Sequence, residues 1–202
     1  MFMKKLLQSL LYYFISAIGI SLTIKANVGV SSFNSLNVSL SNLWGIQIGT
    51  VTTLLNVSFL IGCLILDKER RISKYVLMLV AVMSFGEVIN FVYYHLLGNI
   101  MLSAYSLRLV VFLIGVLIAG AGTGQVLRLS LLKFPIESFC QLLADKTRFK
   151  FSTYRYGVDI VCVVMSVFIS LTFSLPIVIR EGTLISLFLL SGVINWSKNK
   201  SF

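Results

Sequence analysis

Six stretches of about twenty residues carry little charge: Leu6–Ile24, Thr50–Leu66, Tyr75–Leu97, Arg108–Leu127, Tyr156–Phe173 and Pro176–Trp196. A helix rises 1.5 Å per residue, so about twenty residues match a hydrocarbon layer about 30 Å thick. Inside lipid the backbone must satisfy its own polar groups, so these stretches are expected to be helical. Composition supports the same solvent: mean hydropathy is +0.95 and only 12% of residues are charged, against roughly a quarter in a soluble domain. The formal net charge of +10 then reads as basic loops that fix orientation. Nucleic acid is not an expected partner, because no basic patch is interleaved with stacking aromatics. Cys63, Cys140 and Cys162 show no CxxC spacing, and His95 is the lone histidine. A zinc site needs three or four convergent ligands, so no metal or cofactor is expected. The basic, apolar N-terminus lacks a small-x-small cleavage site and reads as a retained first helix.

Two polar stretches interrupt this pattern, Lys25–Gly49 and Arg128–Arg155. If neither crosses the bilayer, six spans result, with both termini cytoplasmic. Only Lys25, Arg108 and Arg180 then lie outside, and every other Lys and Arg lies inside. If both cross, the basic residues divide almost evenly. The positive-inside rule favours six. Length agrees, since Ser31–Trp44 would rise only about 21 Å as a helix.

Shifting the sequence by 103 positions places Gly19 on Gly122, Lys25 on Arg128, Asn34 on Glu137, Ser35 on Ser138, Asn42 on Asp145, Thr50 on Thr153 and Asn56 on Asp159. A shift of 105 places Asn90 on Asn195. Phe33, Leu36 and Leu40 share a helical phase with Ile136, Phe139 and Leu143. The expected fold is therefore an all-α membrane protein of six transmembrane helices in two inverted repeats of three. Residues 1–104 form the first repeat, with an extra short helix at 31–44, and residues 105–202 form the second, with a short helix at 135–147. Ser31 or Ser32 can cap the first short helix. Pro135 and Glu137 suit the first turn of the second. Each short helix is either re-entrant, lining a polar cavity, or interfacial, lying in the headgroup plane.

The stretch KANVGVSSFN followed by LSNLWGIQIGT resembles the signature of the YczE/YitT-like bacterial membrane proteins. Lys25, Ala26, Gly29, Ser31, Ser41, Gly45, Gly49 and Thr50 match its pattern. Ser32 stands where that pattern has proline, and Asn34 where it has an acid. The second copy keeps Pro135 and Glu137 but carries Arg148 and Ser152 in place of the glycines. The resemblance implies the duplicated membrane fold over essentially the whole chain, and no particular activity.

Within such a bundle, Glu87 is a functional candidate by default, because an ionisable group mid-span is expensive. Asn34, Glu137, Asn56, Asp159 and Asn90 complete the candidate substrate path. Bland readings stand beside these: Glu137 as a helix-start charge, Asp159 snorkelling to water, and Asn90 and Asn195 as packing glue. Gly115, Gly120 and Gly124 read as one packing face. No nucleophile with a base, no phosphate loop and no Walker lysine is present, so an enzyme is not expected. The function expected is a small secondary transporter or channel of the plasma membrane, for a small polar or cationic solute. The alternative is a membrane-embedded binding or accessory subunit that works with a partner protein. Partners expected are the bilayer, the solute and a second copy of the chain in a homodimer.

Overall fold

The protein is described from a computed structural model covering residues 2–67 and 72–200. The charged loop expected around Lys68, Arg70 and Arg71 falls outside the described residues. Eight α-helices are present among them: α1 (Phe2–Ala26), α2 (Ser32–Trp44), α3 (Ile48–Leu66), α4 (Ile72–Asn90), α5 (Tyr105–Leu129), α6 (Pro135–Lys146), α7 (Phe151–Thr172) and α8 (Glu181–Lys198). A π-helical segment, Phe91–Leu96, continues α4. Among the described residues, five helical stretches are long and apolar enough to cross a bilayer: Met3–Ala26, Ile48–Leu66, Ile72–Leu96, Tyr105–Leu129 and Phe151–Thr172. The sixth expected span is shorter than read from sequence, because Pro176–Arg180 is not helical and α8 begins at Glu181.

Local chemistry sets the helix ends. Pro135 opens α6, where its missing N–H costs nothing, and Glu137 sits in the positive first turn. Ser31 occupies the N-cap position of α2, but its side chain makes no capping bond. Instead Ser35 N–H reaches the Ser31 carbonyl at 2.8 Å. Gly45 ends α2 in the left-handed region at φ 67°, where a residue without a Cβ pays no steric cost. Gly29 is also left-handed in sign, at φ 134°, and a Cβ there would lie 2.6 Å from the Thr183 backbone nitrogen.

The most extensive packing is α1 on α5. No Cβ fits where these two helices meet. One added at Gly122 would lie 2.7 Å from Ser16 N and 2.8 Å from the Tyr12 carbonyl oxygen, and one added at Gly19 would lie 2.7 Å from the Gly115 carbonyl oxygen. Close approach of this kind gives helices in lipid their van der Waals contact. Ser16 Oγ adds bonds to the Ala119 carbonyl (3.3 Å) and Thr123 Oγ1 (2.9 Å). Early α1 residues meet late α5 residues, so the two helices run antiparallel. The glycines of α5 divide between two faces rather than forming one. Gly115 and Gly122 meet α1, whereas Gly120 and Gly124 meet Val193, Ile194 and Ser197 of α8. That second contact advances in the same direction along both chains, so α5 and α8 run parallel.

The short helices sit where the two halves meet. α2 packs on α3 and α7, and α6 packs on the same two helices. The main apolar core surrounds Tyr13, Phe85 and Phe134, whose rings lie within 4.3–5.7 Å of one another, and extends to Met78, Ile89 and Leu132.

Candidate functional site

The amphipathic pattern of α2 is turned inside out relative to a soluble helix. Ser32, Asn34, Ser35, Asn37, Ser39 and Ser41 are buried, whereas Phe33, Leu36 and Leu40 are half-exposed. This is the arrangement expected when the exterior is lipid and the polar face needs protein partners. Most of those partners are present, although Asn37 Oδ1 is buried without one. Asn37 Nδ2 donates to Thr52 Oγ1 at 3.0 Å and to Asn34 Oδ1 at 3.3 Å. Asn56 Nδ2 donates to the Thr52 carbonyl at 2.9 Å. On the α7 side, the Ser39 and Ser166 hydroxyls meet at 2.8 Å, and Ser166 Oγ donates to the Ser35 carbonyl at 3.2 Å.

A second polar group lies where α6 meets α7. Arg155 Nη1 and Asp159 Oδ1 form an ion pair at 2.6 Å across one helical turn, with both side chains largely shielded. Glu137 of α6 interacts electrostatically with both. Its Oε2 is buried and accepts no hydrogen bond, and the Ser138 and Tyr13 hydroxyls are also buried without partners. Burial is the chief influence on the Glu137 carboxyl and pushes its pKa upward. The nearby Arg155 charge and the residue's own backbone N–H oppose that rise, and Asp159 adds to it. Burial likewise pushes the Cys140 thiol of α6 up to about 11, so it stays a neutral, unreactive thiol.

The 103-residue shift relates these two groups in sequence. Asn34, Asn37, Thr52 and Asn56 lie 103 positions before Glu137, Cys140, Arg155 and Asp159 respectively. Sequence reading found the first and last members of each set. It missed Asn37 with Cys140 and Thr52 with Arg155, although the same shift relates them. Asn–Cys and Thr–Arg pairs share no side-chain chemistry, so a search for matching polar residues passes over them.

The other candidates lie elsewhere. Asn90 is buried and joins α4 to the start of α3, with Oδ1 accepting from Gly49 N at 2.7 Å and Nδ2 donating to Thr50 Oγ1 at 3.2 Å. It is an interhelical tie, and Asn195 is exposed. Glu87 is not part of the interior. Tyr75, Met78, Ala81, Val82, Phe85, Gly86 and Ile89 form the buried face of α4, and the helical phase turns Glu87 to the exposed side. His95, in the π-helical segment, is exposed with its ring 5.8 Å from Phe91. The signature glycines have structural work: Gly29 at α8, Gly45 at the end of α2, and Gly49 where α3 crosses Gly86 of α4.

The long apolar helices and the buried polar groups between them define a helical protein embedded in a membrane. The chain belongs to a family of unknown function, DUF6198, which matches residues 3–199. It is also similar to a Bacillus subtilis (strain 168) protein described as "Uncharacterized protein YyaS", 30% identical over 134 residues. That similarity covers 66% of this chain and 65% of the relative, so the match spans just under two thirds of the relative's length. No solved structure matches the chain.

Proposed function

We propose that the protein is a small secondary transporter or channel for a small polar or cationic solute, with the Glu137–Arg155–Asp159 cluster in its path. The observation that carries this reading is the buried Glu137 oxygen that accepts no hydrogen bond beside the Arg155–Asp159 ion pair. A buried carboxylate normally has partners, and an open acceptor here suits a ligand or a proton. With both acids ionised the cluster carries one net negative charge, which favours a cation. The raised Glu137 pKa suits a group that exchanges a proton during transport.

The architecture proposed is six spans in two inverted repeats. Three features support it. Helices α1 and α5, the first spans of the two halves, cross antiparallel through reciprocal contacts: Gly19 meets Ala119 and Gly122 meets Ser16, each pair being the other shifted by 103 with its members exchanged. Such exchange is the mark of a two-fold relation. α2 on α7 is likewise answered by α6 on α3. Finally, α8 lies parallel beside the span α5, and its 18 residues would rise about 27 Å, close to the hydrocarbon thickness. The signature residues Lys25, Gly29, Gly45 and Gly49 support kinship with the YczE/YitT-like proteins. The basic loops support a plasma-membrane protein with both termini cytoplasmic, and no enzymatic step is proposed.

The test is flux in proteoliposomes across a panel of protons, alkali cations, ammonium and guanidinium. Wild type should move at least one of these. Glu137→Gln should reduce that flux to the level of protein-free vesicles, and Glu87→Gln should leave it intact. Undiminished flux in Glu137→Gln, or no flux in wild type over the panel, sinks the reading.

One observation favours a second reading, an accessory or binding subunit. Glu87 is exposed in the stretch Ile72–Leu96, and a carboxyl facing lipid costs about 3 kcal/mol. A neighbouring chain, either a second copy or a different subunit, would relieve that cost. Purification from native membranes should then yield a stoichiometric partner that Glu87→Leu releases.

A further inference from the structure

We propose that the groove between α2, α3 and α7 is a binding site for an anionic phospholipid. In this assignment an acyl chain lies in the groove and the phosphate headgroup sits on Lys146, Arg148 and Lys150. The groove has a volume of about 530 Å³, within the range of about 300–1,000 Å³ for ligand sites. Its walls are apolar: Phe33 and Leu36 of α2, Leu55 and Phe59 of α3, and Val158 and Cys162 of α7. No residue of either buried polar group lines it.

The charge beside one lining residue distinguishes this groove from ordinary lipid-facing surface. Phe149 lines the groove and is itself 63% exposed. It is flanked in sequence by Arg148 and Lys150, with Lys146 one turn earlier at the end of α6, and all three are exposed. The loop is tied to the groove wall. Tyr154 Oη donates to Thr147 Oγ1 at 3.0 Å, and the Phe149 and Tyr154 rings meet edge-on at 6.3 Å. The nearby acid, Asp145, already accepts a hydrogen bond from Gln141 at 2.7 Å. An apolar slot with exposed Arg148 and Lys150 flanking one of its lining residues, and Lys146 nearby at the end of α6, complements a molecule with an apolar tail and an anionic head. The bilayer supplies such molecules, and basic residues at the membrane surface select them.

The probe is dibrominated phosphatidylglycerol, compared with dibrominated phosphatidylcholine, in vesicles holding the full-length protein. The reporter is Phe149→Trp in a Trp44→Phe, Trp196→Phe background. Bromine quenching of the reporter should show a preference for phosphatidylglycerol over phosphatidylcholine. Neutralising Lys146, Arg148 and Lys150 to Gln should remove it, at about fivefold per charge in direct headgroup contact. Gly157→Leu supplies the independent arm: Gly157 lines the groove, and a Cβ there meets nothing within 4 Å. That variant should fold normally, fill the slot and lower quenching by both lipids. Equal quenching by the two lipids in wild type overturns the proposal, as does a preference that survives neutralisation. Quenching by both lipids unchanged in Gly157→Leu also overturns it, because the headgroup would then sit on the basic loop without a chain in the groove. None of these outcomes depends on whether the protein carries a flux.

Discussion

Asn34, Asn37, Thr52 and Asn56 join α2 to α3 through neutral amides and a hydroxyl. At the positions 103 residues later, Glu137, Cys140, Arg155 and Asp159 join α6 to α7 through charge. In the neutral set amide donors reach acceptors at 2.9–3.3 Å, and the one buried atom left without a partner is a neutral amide oxygen, Asn37 Oδ1. In the charged set the acceptor left open is a carboxylate oxygen, Glu137 Oε2. The helices differ in the same direction. The polar face of α2 is buried along its length, from Ser32 to Ser41. In α6 burial is confined to the first half, Pro135, Ile136, Ser138 and Cys140, and Gln141, Asp145 and Lys146 are exposed. Positions related by the 103-residue shift thus carry a neutral tie with an open amide oxygen in one set and an open carboxylate oxygen beside an ion pair in the other. That asymmetry points chemistry toward α6 and α7.

The largest expected effect tests whether the charged set depends on its cation. Arg155→Leu would leave Glu137 and Asp159 as neighbouring acids with no counter-charge, and breaking such a shielded pair costs about 3–5 kcal/mol. Thr52→Val, 103 positions earlier, removes a neutral partner of Asn37 and a bond to the Ile48 carbonyl, and should cost about 1–2 kcal/mol. Thermal unfolding in detergent would compare the two. Equal losses would mean that charge does not distinguish the halves.

The next prediction addresses the crossing that relates the halves. Gly19→Ala and Gly122→Ala each force a methyl against the facing backbone, and overpacking of this kind costs about 1–3 kcal/mol. If the two-fold relation holds, the losses should agree with each other, and Gly192→Ala, where a Cβ meets nothing within 4 Å, should cost far less. Unequal losses at Gly19 and Gly122 would show that the α1–α5 crossing is not symmetric.

A smaller, pH-dependent effect follows from Glu137. Its folded pKa lies above its unfolded value, chiefly through burial. Its contribution is therefore most favourable below the ordinary carboxylate pKa and is lost as pH rises through the raised folded value. Wild type should gain thermal stability as pH is lowered from neutrality toward the ordinary carboxylate range. Glu137→Gln should show a flatter profile over that window. A profile identical to wild type would move the origin of the pH dependence to another group.

Much of this was legible in the sequence because lipid leaves few ways to arrange long apolar runs. The helices at Leu6–Ile24 and Arg108–Leu127 needed only length and hydropathy. The polar interruptions were visible because Ser and Asn are conspicuous among Leu and Val. Glu87 was misplaced for the same reason that the spans were easy to find. An apolar exterior and an apolar core give α4 no contrast between its faces, so nothing in residues 72–90 marks which side of the helix Glu87 occupies. The Arg155–Asp159 pair was obscured differently: Arg155 lies at the end of a basic run, where it read as one more cytoplasmic charge.

The smallest expected effect concerns the hydroxyls that seat α2 against α7. Ser39 and Ser166 meet at 2.8 Å in a buried contact, and the matching positions in the second half are Leu142 and Cys63. There Cys63 Sγ instead reaches the Pro135 carbonyl at 3.6 Å, a weak thiol bond in place of a hydroxyl pair. The second half therefore holds this contact largely by packing. Ser166→Ala removes the partner of Ser39 and the donor to the Ser35 carbonyl, and should cost about 1 kcal/mol. In the double variant Ser39→Ala, Ser166→Ala, the Ser39 hydroxyl is no longer stranded, so its cost should fall below the sum of the single costs by a few tenths of a kcal/mol or more. A double-mutant cycle read by unfolding in detergent measures that difference. Strict additivity would show that the two hydroxyls act separately, and that the Ser166 contribution rests on its bond to the Ser35 carbonyl.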